Sequence, residues 1–100
     1  MQPASAKIIV AEDDPEMALH LARQLVELGS EVPPTVASGI DAIRESESQS
    51  PDLMLLDIHI DAEFGGLLVA EAVAIPVVYL LEDESEAALP RVRAAGPMAI

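Results

Sequence analysis

Three carboxylates in this chain stand where acids at the ends of buried strands can do chemistry: Glu12, Asp13 and Asp57. Asp57 closes the run Pro51-Asp52-Leu53-Met54-Leu55-Leu56-Asp57, a stretch of apolar residues that delivers one aspartate. Glu12 and Asp13 follow Lys7-Ile8-Ile9-Val10-Ala11, a second short apolar run. If the two runs lie side by side and parallel, their carboxyl ends bring all three acids to one crevice, where ligand sites of open α/β sheets gather. Acids held that close repel one another and raise each other's pKa unless a cation neutralises them. A hard ion such as Mg²⁺, which prefers oxygen ligands, suits such a set. Taken alone, Asp57 also has a plainer reading as the polar residue that stops a strand.

The elements that must position these acids follow from local pattern. An apolar run without polar alternation marks a strand buried on both faces, as inside a parallel sheet. The first such strand covers about Lys7 to Ala11, after a loose leader over residues 1 to 6. Asp14 and Pro15 suit the N-cap and first position of a helix, since the carboxylate accepts orphan amides and proline has no amide to lose. Met17, Leu21, Leu25 and Leu28 then recur at helical spacing and Gly29 offers a stop, which predicts a helix over about 14 to 28. His20 lies on that helix with no His, Cys or carboxylate at i+4, so it is not counted as a ligand.

Glu31 to Ala37 reads as a strand weakened by Pro33-Pro34, and prolines confine a strand to a sheet edge. Ser38 can cap a short helix through Gly39, Ile40, Ala42, Ile43 and Arg44, which dissolves into the polar Glu45 to Ser50 stretch. Gly65-Gly66 marks a turn into a third helix, Leu67 to about Ala74, and Pro76 to Leu81 forms a further strand. Glu82 to Glu86 leads into a helix through Ala87, Leu89, Val92 and Ala95. Within it Pro90 removes an amide bond and predicts a kink or a late start.

The pair Ile8-Ile9-Val10-Ala11-Glu12-Asp13-Asp14-Pro15 and Pro51-Asp52-Leu53-Met54-Leu55-Leu56-Asp57-Ile58 resembles the receiver domain of bacterial two-component response regulators, the CheY-like superfamily. Ile75-Pro76-Val77-Val78-Tyr79-Leu80 resembles the fourth strand of that family, and Ala94-Ala95-Gly96-Pro97 the approach to its fifth. The resemblance covers nearly all of the chain. It implies an α/β, flavodoxin-like doubly wound parallel sheet of strand order 2-1-3-4-5, with the fifth strand partial and the fifth helix absent. It further implies that Asp57 is a phosphoacceptor in a phosphorelay, loaded by a histidine kinase or phosphotransfer protein. Mg²⁺ would be held by Glu12, Asp13, Asp57 and the backbone carbonyl of His59. A signalling module rather than an enzyme is the expectation.

Three departures from the family pattern qualify this. Where the fourth strand ends, the family carries a Ser or Thr whose hydroxyl bonds the phosphoryl group; this chain has Leu81 at that switch position. The next residue is normally small, and here it is Glu82, whose carboxylate would oppose an incoming phosphoryl group. The chain also ends a few residues short of the family's lysine, and Lys7, its only lysine, starts the first strand and cannot replace it. A sheet flank left without its fifth helix would invite a homodimer.

Two function classes therefore stand side by side. Glu12, Asp13 and Asp57 favour a phosphorylation-switched receiver; Leu81 and Glu82 favour a pseudo-receiver, a protein-interaction module that keeps the fold without switching. A dehalogenase-like phosphohydrolase would need a second Asp two residues after the first, and His59 stands there.

Composition closes off other classes. One hundred residues form one domain, 1–100, too short for a receiver and a separate output domain. Half the residues are hydrophobic, yet Phe64 and Tyr79 are the only aromatics, so aliphatic side chains must build the core. A net charge of -13 makes direct nucleic-acid binding unfavourable. The absence of cysteine excludes disulfides and thiol chemistry. No apolar run approaches the ~20 residues needed to span a bilayer, and the leader is too short and polar for a signal peptide. The expectation is a soluble cytoplasmic protein with no membrane contact.

Overall fold

Strands built almost entirely of apolar residues must be covered on both faces, and the chain folds accordingly. In the computed structural model, which describes residues 5–82, 85 and 86, β1 (Ile8–Ala11), β2 (Leu53–Asp57) and β3 (Val77–Leu80) form a parallel sheet in the order β1-β2-β3. The helices α1 (Pro15–Glu27), α2 (Gly39–Ser48) and α3 (Gly65–Ala72) connect and cover it. Alternate residues divide the core in two. Ile9, Ala11, Met54, Leu56 and Tyr79 pack with Ala42, Leu67 and Val69 of α2 and α3, while Ile8, Val10 and Leu55 pack with Leu21 and Leu25 of α1. Among the described residues no helix is long and apolar enough to cross a membrane.

The local signals act as chemistry requires. The Asp14 carboxylate accepts from the amides of Glu16 at 3.0 Å and Met17 at 3.5 Å, with Pro15 at the first helical position. Gly29, just past α1, takes a left-handed φ of 96° that side chains disfavour. Ser38 Oγ accepts from the Asp41 amide and starts α2.

Three expectations are corrected. The segment Glu31 to Ala37 is not a strand: it touches the outer edge of β1 at two isolated parallel bridges, Lys7 with Glu31 and Ala11 with Val36. Pro33 and Pro34 lie between these points and have no amide to continue the ladder. The segment occupies the place of the second strand in the 2-1-3-4-5 order, but the sheet of the described residues has three strands. Second, α3 begins at Gly65, not Leu67, and ends at Ala72; the Gly66 amide donates to the Ile58 carbonyl at 2.8 Å, so the diglycine starts the helix. Third, α2 continues to Ser48 through its polar stretch, with Ser46 Oγ donating to the Ile43 carbonyl at 2.6 Å. The kinked fourth helix, the partial fifth strand and the missing fifth helix lie outside the described residues.

Candidate metal centre

The sheet register determines the site. Ala11 pairs with Leu56 across β1 and β2, so the next residues, Glu12 and Asp57, emerge side by side at the carboxyl edge with Asp13 beyond. Carboxylate oxygens of Glu12, Asp13 and Asp57 lie within 4.8 Å of one another. Glu12 is buried, Asp57 half-buried and Asp13 exposed. With Asp14, Met17, His59, Leu80, Leu81 and Glu82 they line an open crevice of about 720 Å³. Leu81 and Glu82 thus stand beside the acids and bring neither a hydroxyl nor a positive charge. Lys7 is at the far end of β1, where its Nζ donates to the Gln49 carbonyl at 3.0 Å.

The acids pay electrostatically for this proximity. Burial strips water from Glu12 and pushes its pKa up to about 7; the Asp14 amide, donating to Oε1 at 3.2 Å, resists the rise, and the charges of Asp57 and Asp13 add to it. Asp13 is raised as well, by burial and then by Asp57. With Glu12 and Asp13 both raised in part by the charge of Asp57, the site is short of positive charge, and the described lining contains no lysine or arginine. An all-oxygen donor set at this spacing fits a hard divalent cation such as Mg²⁺.

His59 is tied to Asp57 through its backbone and to the edge of the crevice through its ring. Its amide donates to Asp57 Oδ1 at 2.8 Å. Its Nδ1 accepts from the Phe64 amide at 3.2 Å, which places the ring proton on Nε2, and Nε2 donates to Glu86 Oε2 at 2.6 Å. The Phe64 ring packs on the imidazole with centroids 4.8 Å apart. Burial opposes charge on the imidazole, but the Glu86 hydrogen bond and the charges of Glu86, Glu82 and Asp57 outweigh it and raise its pKa. Ligand atoms of His59, Glu82 and Glu86 also cluster within 4.8 Å. A metal on Nε2 would move the proton to Nδ1, where the Phe64 N–H already points, so this cluster is organised as a hydrogen-bonded link.

The loop that carries His59 is held under local strain. Asp61 and Phe64 adopt left-handed φ values of 69° and 57°, unfavourable for side-chain-bearing residues. The Asp61 carboxylate accepts from the Gly39 amide with both oxygens, at 3.2 and 3.0 Å, and so anchors the loop to the N-terminus of α2. Neither this anchor nor the Glu86 link was expected from sequence. No local signal marks either; the segments after β2 and β3 meet through the strand register, which pairs Asp57 with Leu80 only in the folded sheet. His20 is exposed on α1, apart from the acids.

No family model matches the chain. It is 28% identical over 96 residues to the transcriptional regulatory protein PdtaR of Mycobacterium tuberculosis, covering 93% of this chain and 47% of that protein. The chain therefore spans about half the length of the curated relatives it matches. It superposes with a TM-score of 0.72 and 29% identity on the N-terminal domain of a response regulator/sensory box/GGDEF protein from Carboxydothermus hydrogenoformans, over 88% of this chain and 74% of that one. The signal receiver domain of a modulated diguanylate cyclase from Desulfovibrio desulfuricans shares the fold, at a TM-score of 0.78 and 24% identity over 96% of this chain and 79% of that one.

Proposed function

Since this chain is a response-regulator receiver domain of the two-component type, we propose that Asp57 is its phosphoacceptor, loaded by a histidine kinase or phosphotransfer protein in a Mg²⁺-dependent reaction. The observation that carries this reading is the convergence of the Glu12, Asp13 and Asp57 carboxylates. In the transfer, an Asp57 oxygen attacks phosphorus in line with the departing imidazole nitrogen of the donor. A P–O bond forms, the P–N bond breaks, and its electron pair leaves with the imidazole. Bound at the acids, Mg²⁺ supplies neutralisation of the charge on the transferring oxygens.

The chain's own residues prepare this step. The His59 amide restrains the Asp57 carboxylate, and the parallel strand beneath it sets its direction. Glu12, with its pKa near 7, must be ionised to hold the cation, so binding at neutral pH releases a proton from it. The His59 carbonyl is the remaining protein ligand in this reading. The acyl phosphate at Asp57 would then bias a two-state surface read by a downstream partner.

A second reading rests on Leu81 and Glu82, which line the crevice where the phosphoryl group would sit. On that reading the chain is a pseudo-receiver that docks partners without phosphorylation. Incubation with Mg²⁺ and acetyl phosphate, followed by intact mass, separates the two. The first expects a single phosphoryl adduct that is lost in Asp57→Asn; cation binding without any adduct supports the second.

A further inference from the structure

Leu81 removes the hydroxyl through which the family expects the acceptor to reach the segment after the fourth strand, yet a different connection bridges the same gap. It starts at Asp57 Oδ1, which accepts from the His59 amide at 2.8 Å. It crosses the imidazole, whose Nε2 donates to Glu86 Oε2 at 2.6 Å. It ends at Glu86 Oε1, which accepts from the Glu82 amide. The link joins residues 27 apart in sequence and is shielded from water: the side chains of His59 and Glu86 are 17% and 10% exposed. Hydrogen bonds so shielded are stronger than their solvated counterparts.

We propose that His59 is a positioning residue that couples the state of the Asp57 carboxylate to Glu82 and Glu86, in the role the missing hydroxyl at Leu81 leaves open. This rests on the phosphoacceptor reading and adds to it a route for the signal. The imidazole is held at Nδ1 by the Phe64 amide, at Nε2 by Glu86, and on its face by the Phe64 ring. It cannot swing freely within its loop, so a shift of the His59 backbone moves the Glu86 carboxylate with it. Any group that engages the Asp57 oxygens competes with the His59 amide for Oδ1 and supplies that shift. Coupling of this kind is a free energy shared between two sites, and it is measurable at both.

Amide NMR of the full chain tests it, with Mg²⁺ alone and then Mg²⁺ with beryllium fluoride as the phosphoryl mimic. In the wild-type chain the amides of Asp13, Ile58, Glu82 and Glu86 are expected to shift together along one binding curve. In His59→Phe, which keeps the backbone amide and carbonyl that serve the site, Asp13 and Ile58 still respond while the Glu82 and Glu86 shifts fall to less than about a third. His59→Gln, whose side-chain N–H can reach Glu86, restores them at least in part. Glu86→Ala breaks the link from its other end, silences Glu82 in the same way, and decides the matter if His59→Phe does not fold. A Glu82 response that survives either variant, or that is absent from the wild-type chain while Asp13 responds, overturns the proposal. No response at Asp13 and Ile58 in the wild-type chain removes the phosphoacceptor reading itself, and the coupling with it.

Discussion

A Cβ atom on Gly66 would stand 2.5 Å from the carbonyl oxygen of Asp57, closer than real side chains approach a backbone oxygen. It would also lie 2.8 Å from the Ile58 Cα, so α3 starts directly against the end of β2. Gly66→Ala must push the helix off the strand that carries Asp57. The expected outcome is a loss of roughly 1–3 kcal/mol in urea unfolding, the usual range for overpacking, together with weaker Mg²⁺ binding in a titration. Unchanged values in both would mean that the helix start moves at no cost.

Glu12 makes the metal-free protein sensitive to pH in a defined direction. Its pKa of about 7 lies above the ordinary 4.5, so the fold binds this proton more tightly than the unfolded chain does. The stability this contributes is fully present below 4.5 and is lost as pH rises through about 7. Asp13 and His59 are raised too and act with the same sign. Without metal, the melting temperature is expected to fall between about pH 5 and about pH 8, and Mg²⁺ to restore more at the higher value. Glu12→Gln should flatten that fall, raise the metal-free melting temperature near neutral pH and abolish most of the Mg²⁺ effect. A metal-free melting temperature that rises over this interval would contradict the assignment.

The carboxylate of Glu82 faces the crevice from a side chain that is 73% exposed. Two like charges at 4 Å repel by about 1 kcal/mol in water and about 4 kcal/mol near a protein surface, and this exposure favours the lower figure. Glu82→Ala is therefore expected to speed adduct formation from acetyl phosphate roughly two- to fivefold. Leu81→Thr, which adds a hydroxyl beside it, should increase the yield further. Time courses of intact mass report both; a slower Glu82→Ala would point to a supporting role for its side chain.

Asp14 caps α1 without belonging to the acidic triad. Asp14→Ala should cost about 0.5–2 kcal/mol, the range for losing such a cap. Chemical denaturation measures that loss. Adduct formation at Asp57 should stay close to the wild-type rate, since the Asp14 amide that bonds Glu12 is kept.

Much of the scaffold was legible from neighbouring residues. Ile8 to Ala11 and Leu53 to Leu56 announce buried strands because apolar runs this short, bounded by polar residues and proline, suit a strand covered on both faces. Asp14-Pro15, Ser38 and Gly29 punctuate helices through hydrogen bonds and φ preferences that reach only a few residues. Glu12, Asp13 and Asp57 could be singled out because each lies at the carboxyl end of an apolar run, and parallel pairing leaves such residues one place to meet.

What the chain alone did not contain was the outcome of contacts between distant segments. Whether Glu31 to Ala37 completes a strand depends on how many amides remain opposite β1, and Pro33-Pro34 reduced it to two bridges. The rise of Glu12 to about 7 comes from burial and from charges brought near by folding. The His59–Glu86 hydrogen bond exists because the β2–β3 register brings together segments 27 residues apart. Periodicity and capping are local and survive in the sequence; distance, desolvation and register between remote residues come into being only when the sheet is assembled.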